Sequence, residues 1–429
     1  MSTFDLSVLF FLQLAVILAV IRVVGLAAQK IGQPQVVGEM IAGVVMGPSL
    51  LGLFFPGWQA QLFPEASTPI IYAVSQVGVV VYMFLVGAEF RVGLIRGRVR
   101  SAATVSAAGI LTPFLLGIIL AGTLIRGPAF FTPGVATWES MLFLGAAISI
   151  TAFPMLARII YERGLTGTSL GTLALAAGAV DDATAWCFLA VVLASFSGDT
   201  MIALKAIGGG ALYAGFMLTI GRSLLARFGR VAERNHGLSG PMLSFALMLV
   251  MLGAWFTDYI GIYAVFGGFI MGLAMPRGVV TRDLQRFLEP VATNFLLPLF
   301  FIYSGLHTQL GLVVTPALWG ATLLIILAAI LGKGMACWAA ARLNGEDNRE
   351  AMAIGTLMNA RGLMELILLN IGLQRGVITT TFFTIMVIMA IVTTLMTSPI
   401  FELIYRRWRQ TRGREVVAAP IPVLASELE

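Results

Sequence analysis

Two adjacent aspartates, Asp181 and Asp182, stand in the middle of an apolar run, LALAAGAVDDATAWCFLAVV. A third ionisable group, Lys333, lies in a second such run, LAAILGKGMACWAA. Buried carboxylates are hard-oxygen ligands for a small dehydrated cation. Burial also disfavours the charged form, so a proton competes with the cation for the same oxygens. Each aspartate at the centre of a membrane span costs roughly 3 kcal/mol on insertion scales, so two in succession point to function. Lys333 precedes Arg342 by nine residues, about 13.5 Å along a helix and too far to snorkel to the interface. It needs a counter-charge at depth, and one of the two aspartates is the obvious partner.

The elements that hold these residues are membrane helices. Of 429 residues, 59% belong to the apolar set and only 11% are charged, against about a quarter charged in a soluble domain. The apolar residues come in runs of about twenty, the length that spans a bilayer. Soluble enzymes, disulfide scaffolds, disordered chains and nucleic-acid binders are excluded, and the net charge of +6 is better tested against topology. Cys187 and Cys337 both lie in apolar runs and suggest neither a disulfide nor a metal pair.

Thirteen spans are predicted: roughly 6–28, 35–54, 69–90, 102–125, 138–161, 168–196, 201–225, 241–258, 261–276, 291–307, 315–341, 351–373 and 379–405. With the N-terminus outside, 21 of the 27 Lys and Arg residues fall in inside loops and two, Arg126 and Arg375, outside. That asymmetry orients the bundle with its C-terminus in the cytoplasm of a cell carrying it in the inner or plasma membrane. Residues 1–408 read as a single transmembrane unit and 409–429 as a short tail.

Two spans are interrupted. The fifth, LGAAISITAFPMLARII, has Ser149, Thr151 and Pro154 near its centre, and Pro154 should kink or unwind it. The twelfth, GTLMNARGLMELILLNIG, has Asn359, Arg361 and Gly362. Each is fifth in its half, the pattern of an inverted repeat (about 6–196 and 241–405) joined by a linking helix near 201–225. Two antiparallel broken helices crossing at mid-membrane leave free carbonyls and N–H groups facing one cavity. The fold class is therefore an all-α polytopic membrane protein with crossed broken helices. Arg361 and Glu365, four apart on one helix, are expected to neutralise each other. Glu39 begins the second span and reads equally as a funnel residue or a solvated end; Glu89 reads as interfacial.

A site that binds either a proton or a cation, in a protein that rocks between two openings only when loaded, performs antiport. Cation binding at Asp182 would draw Asp181 off Lys333 and free the lysine's proton. Two protons would then exchange for one monovalent cation, so transport would be electrogenic. No cofactor is expected beyond the transported cation and protons. An intramembrane aspartyl protease needs its aspartates on different helices, and LGKG lacks the upstream glycines of a phosphate loop. A sodium-coupled symporter of an organic solute is the serious alternative, but it has no need of a lysine at depth.

The segments VVGEMIAGVVMGPSLLG, FLVGAEF, SITAFPMLARI, AGAVDDATAW, PLFFIYSGL and NARGLMELILLNIG resemble the monovalent cation:proton antiporter-2 family of the sodium/hydrogen exchanger superfamily. The resemblance runs through nearly the whole chain. It implies a thirteen-helix homodimer with a scaffold and an elevator-like core made of spans four to six and eleven to thirteen. It further implies that Asp182 binds the ion, that Asp181 is its lysine-paired neighbour and Lys333 the partner, and that Thr151 and Asn359 flank the site. Na⁺ would lie at Asp182, Asp181 and Thr151. Kef-type potassium efflux members usually add a nucleotide-binding domain, which does not follow Trp408, and often carry glutamine where Asp181 stands. Both points favour Na⁺ exchange, with Li⁺ or K⁺ as alternatives.

Overall fold

The computed structural model describes residues 2–33, 35–89, 99–153, 156, 159, 160, 163, 165, 168–178, 180, 181, 184, 200–261 and 263–412. Among them, regular structure is helical apart from one isolated antiparallel bridge, Phe131 to Ile378. Eight helices are long and apolar enough to cross a membrane, and three shorter apolar ones accompany them. Of the other expected spans, 138–161, 168–196 and 261–276 include residues outside those described, 201–225 is helical with a π-turn at Met217–Gly221, and 351–373 is divided at 358–362.

The helices used below are α1 (Thr3–Lys30), α2 (Gln35–Met46), α3 (Thr68–Glu89), α4 (Val99–Thr123), α5 (Thr137–Ser149), α6 (Ser169–Gly178), α7 (Thr200–Phe216), α8 (Gly240–Tyr259), α9 (Ala264–Ala274), α10 (Val279–Val291), α11 (Leu297–Leu306), α12 (Pro316–Leu343), α13 (Asn348–Leu357), α14 (Leu363–Gln374) and α15 (Thr380–Arg412). Val180, Asp181 and Thr184 are also helical. Between α8 and α9 the expected sharp turn is present, with Gly261 at φ +88°.

Two expected boundaries move. The second span stops at Met46 because Pro48 forces the residue before it out of the helical region, and short helices Leu51–Phe54 and Pro56–Leu62 follow. The stretch expected as a loop before the tenth span is the amphipathic α10, which buries Val280 and Leu284 one turn apart. A π-turn at Ala292–Leu296 then joins it to α11.

Packing falls largely within two groups of the described helices, which meet where α15 touches α2. α1, α2, α3, α8, α9 and α11 pack among themselves, as do α4, α5, α12, α13, α14 and α15. In the first group α2 lies so close to α11 that a side chain on Gly43 would meet the carbonyl of Phe301, and one on Gly305 would meet Gly43 itself. Small residues at such contacts let backbones approach where lipid supplies no hydrophobic drive.

Candidate functional site

The helix α5 ends at Ser149, and Ile150 is extended, at φ −67° and ψ 136°. Residues 150–152 are non-helical, so the described break begins four residues before Pro154, which lies outside the described residues. In the other interrupted segment α13 ends at Leu357, Met358 and Asn359 turn, and 360–362 are non-helical before α14 begins. The two breaks cross and are tied together. Ala152 N–H donates to the carbonyl of Ala360 at 3.0 Å, and Thr151 Oγ1 lies 3.2 Å from the carbonyl of Met358. The connections at one end of each also meet, since Thr132 N–H donates to the carbonyl of Val377 at 3.1 Å. The entry to α5 and the exit from α14 thus share one side, as two antiparallel broken helices require.

Beside this crossing the structure places Asp181, 1% exposed. Its Oδ2 accepts from Lys333 Nζ at 2.9 Å and from Thr151 Oγ1 at 2.6 Å, and its Oδ1 accepts from Ser106 Oγ at 2.5 Å. Lys333 is fully buried. Its ammonium also donates to the carbonyl of Gly109 at 3.0 Å and to the carbonyl of Ser149, so all three of its donors have acceptors. The Ser149 carbonyl belongs to the last turn of α5, which has no intrahelical partner. The lysine thus bridges a carboxylate to a broken helix end, which a charge so deep requires.

Arg361 departs from expectation. It is fully buried, but its guanidinium does not pair with Glu365. Nη1 donates to the carbonyls of Ala147, at 3.3 Å, and Ile150, at 2.6 Å, and Nη2 to that of Ile148. A side chain from one broken helix therefore caps the C-terminal end of the other. Its backbone is held by Thr394, whose hydroxyl accepts from Arg361 N at 3.1 Å and donates to Arg361 O at 3.0 Å. Both carboxylate oxygens of Glu365, 1% exposed, lack a hydrogen-bond partner among the described residues.

Glu39 is not a solvated end either. It is 2% exposed and accepts from Gln35 Nε2 at 2.9 Å. Asn359 donates from Nδ2 to the carbonyl of Ile330 at 3.3 Å; no hydrogen bond joins it to Asp181 among the described residues. Gly362 precedes α14 in an extended conformation. Ser149 turns its hydroxyl to the carbonyl of Ala146 at 2.9 Å, so its backbone rather than its side chain serves Lys333. Asp182 and Cys187 lie outside the described residues. Ser106 escapes sequence reading, because a serine among alanines on α4 carries no signal until Asp181 is known to face it. No cluster of three or more His, Cys, Asp or Glu suited to a metal occurs among the described residues.

A membrane bundle in which two interrupted helices cross beside a buried, lysine-paired carboxylate defines an ion-coupled secondary transporter of the crossed-helix class. Residues 15–404 match the family described as sodium/hydrogen exchanger, transmembrane, and the chain belongs to that family. It is 43% identical over 397 residues to the Na⁺/H⁺ antiporter NhaS4 of Synechocystis, covering 91% of this chain and 95% of that protein. It is 35% identical to cation/H⁺ antiporter 20 of Arabidopsis thaliana over 95% of this chain. The chain spans about half of that longer relative, 49% of its length. The fold matches the sodium proton antiporter MjNhaP1 from Methanocaldococcus jannaschii with a TM-score of 0.62 at 15% identity, over 95% of this chain and 98% of that one.

Proposed function

We propose that this protein exchanges protons for a monovalent cation by alternating access, with Na⁺ as the principal cation and Li⁺ or K⁺ as alternatives. The observation that carries the reading is the Asp181–Lys333 pair at 2.9 Å, anchored to the carbonyl end of α5 at the crossing. In this cycle the cation is held by Asp182, with Asp181 and Thr151 supplying further oxygens. When it arrives, Asp181 leaves Lys333, the lysine loses its proton and the loaded site turns to the other side. On return two protons replace the cation, so each turnover moves net charge.

The two packing groups support a moving core (α4, α5, α6 and α12–α15) against a scaffold. We place the protein in the cell membrane as a homodimer, N-terminus outside and C-terminus cytoplasmic, with repeats at about 6–196 and 241–405. Relatives named for K⁺/H⁺ exchange in Saccharomyces cerevisiae and for Na⁺/H⁺-K⁺ exchange in Bacillus cereus keep K⁺ among the candidate cations. The test is purified protein in sealed vesicles with an imposed pH gradient, challenged with Na⁺, Li⁺, K⁺ and choline. The small cations should dissipate the gradient and choline should not. Failure of every small cation would overturn the reading.

A further inference from the structure

The exchange cycle leaves one fully buried ionisable group unused. Glu365 stands in the first turn of α14, 1% exposed, with neither carboxylate oxygen in a hydrogen bond among the described residues. α14 packs on α5 and α15. Seven residues on, and on the same face, a side chain on Gly372 would meet the ring of Phe143. That face is therefore turned to α5, whose residues from Phe143 to Ile148 are all apolar. On α15 the hydroxyls of Thr393 and Thr394 donate to carbonyls, those of Met389 and Arg361.

The charges around Glu365 are two cations, Arg361 one turn back and Lys333 of α12. Neither gives it a hydrogen bond. Lys333 donates to Asp181, Gly109 and Ser149, and both terminal nitrogens of Arg361 donate to the carbonyls of α5. The one ionisable side chain of α5, Glu139, accepts from Ala136 N–H at the far end of that helix. On α15 the first is Glu402, which pairs with Arg163. A buried carboxylate with no donor costs far more as an anion than with a proton on it. A second group nearby is also unmatched: Arg361 Nε is buried without an acceptor.

We propose that Glu365 is a proton-binding site, filled while Arg361 caps α5, and that Arg361 is its latent counter-ion. Loss of the proton to water leaves an anion one turn from a guanidinium with an unused N–H. A charge-assisted pair between them is stronger than bonds to neutral carbonyls, so Arg361 turns from α5 to Glu365. The carbonyl of Ser149, which anchors Lys333, belongs to the helix end that then loses its cap, and exchange slows. This last consequence rests on the function proposed above; the proton site does not.

Infrared spectra of the protein in an ester-free detergent read the site directly, because the C=O stretch of a protonated carboxyl stands apart from those of carboxylates and amides. At neutral pH the wild type should show a carboxylic-acid band that bleaches as the pH is raised. Glu365→Gln should lack that band and Glu365→Asp should retain one. A wild type without an acid band, or a band that persists in Glu365→Gln, overturns the proton site. A band that survives alkaline pH overturns its release. In vesicles, Glu365→Gln, neutral at every pH, should keep several-fold more of its neutral-pH exchange rate on the alkaline side than the wild type keeps. Matching pH profiles would overturn the link through Arg361. If no cation is exchanged at all, the proposed function fails while the infrared result stands.

Discussion

Arg361 Nη1 lies 2.6 Å from the carbonyl oxygen of Ile150, a residue 211 positions earlier in the chain and on the other broken helix. Interrupting a helix inside a membrane leaves its last carbonyls without donors, and water is not at hand to supply them. One guanidinium serves three of these carbonyls, at 147, 148 and 150. The crossing is therefore not two independent kinks but one structure, in which each broken helix satisfies the other's backbone.

Removing that cap should destabilise the fold before it alters transport. Arg361→Leu leaves the carbonyls at the end of α5 unpartnered, at about 1–3 kcal/mol for each group left unsatisfied. The thermal midpoint of the detergent-solubilised protein, followed by tryptophan fluorescence, should fall by several degrees or more. Arg361→Lys keeps a positively charged donor group and should fall less. A Leu variant melting with the wild type would mean that the guanidinium is dispensable.

Lys333 makes a different prediction. Gln in its place retains an amide donor for the carbonyl of Gly109 but carries no charge and no transported proton. Lys333→Gln should therefore continue to exchange cations while losing its response to an imposed membrane potential. Vesicles clamped by a potassium gradient and an ionophore measure this directly. Voltage dependence equal to wild type would remove Lys333 from the charge-moving cycle.

The two hydroxyls on Asp181 should be unequal. Ser106→Ala deletes one charge-assisted hydrogen bond, worth about 1.5–3 kcal/mol when made to a charged group, and should slow exchange about ten-fold. Thr151→Ala deletes a bond to the same carboxylate and also the contact with Met358 across the crossing. It should slow exchange further and lower the thermal midpoint by more than Ser106→Ala does. Rates of gradient dissipation and melting curves on the same preparations separate the two.

What was readable in the sequence follows from where charge is expensive. Asp181 and Lys333 stand out because an ionisable residue in an apolar run has few benign explanations, and the structure brings them together. Asn359, Arg361 and Gly362 mark the second break correctly for the same reason. The first break begins at Ile150, four residues before Pro154 and so at the carbonyl that a proline ring crowds, and Thr151 and Arg361 hold it through contacts 207 and 211 residues away in sequence. Local spacing rules could assign Arg361 only to its neighbour Glu365; they contain no term for a carbonyl on another helix. Ser106 is invisible for the complementary reason, since one more small polar residue in a membrane helix changes nothing that composition or periodicity can register. Glu39 shows the limit of reading position along a span as depth, because the packing of α2 against α1 and α11 buries it near a helix start.

The contact between the two packing groups yields the last prediction. On the side of the Arg375 loop, Asn370 Nδ2 of α14 donates to Ser304 Oγ of α11 at 2.8 Å. One turn further on, Gln374 Nε2 donates to Tyr303 Oη at 3.2 Å and its Oε1 accepts from Tyr72 Oη of α3 at 3.3 Å. These bonds join the proposed moving part to the scaffold on one side, so a core that travels must break them at every turnover. Asn370→Ala and Gln374→Ala together should shift the population toward the state open on that side. With the two native cysteines replaced and Ile371, buried on α14, changed to Cys, a membrane-impermeant maleimide added from the Arg375 side should label the double variant several-fold faster than its parent. Equal labelling rates would mean that these bonds do not hold the closed state, and that the seal lies elsewhere along α14.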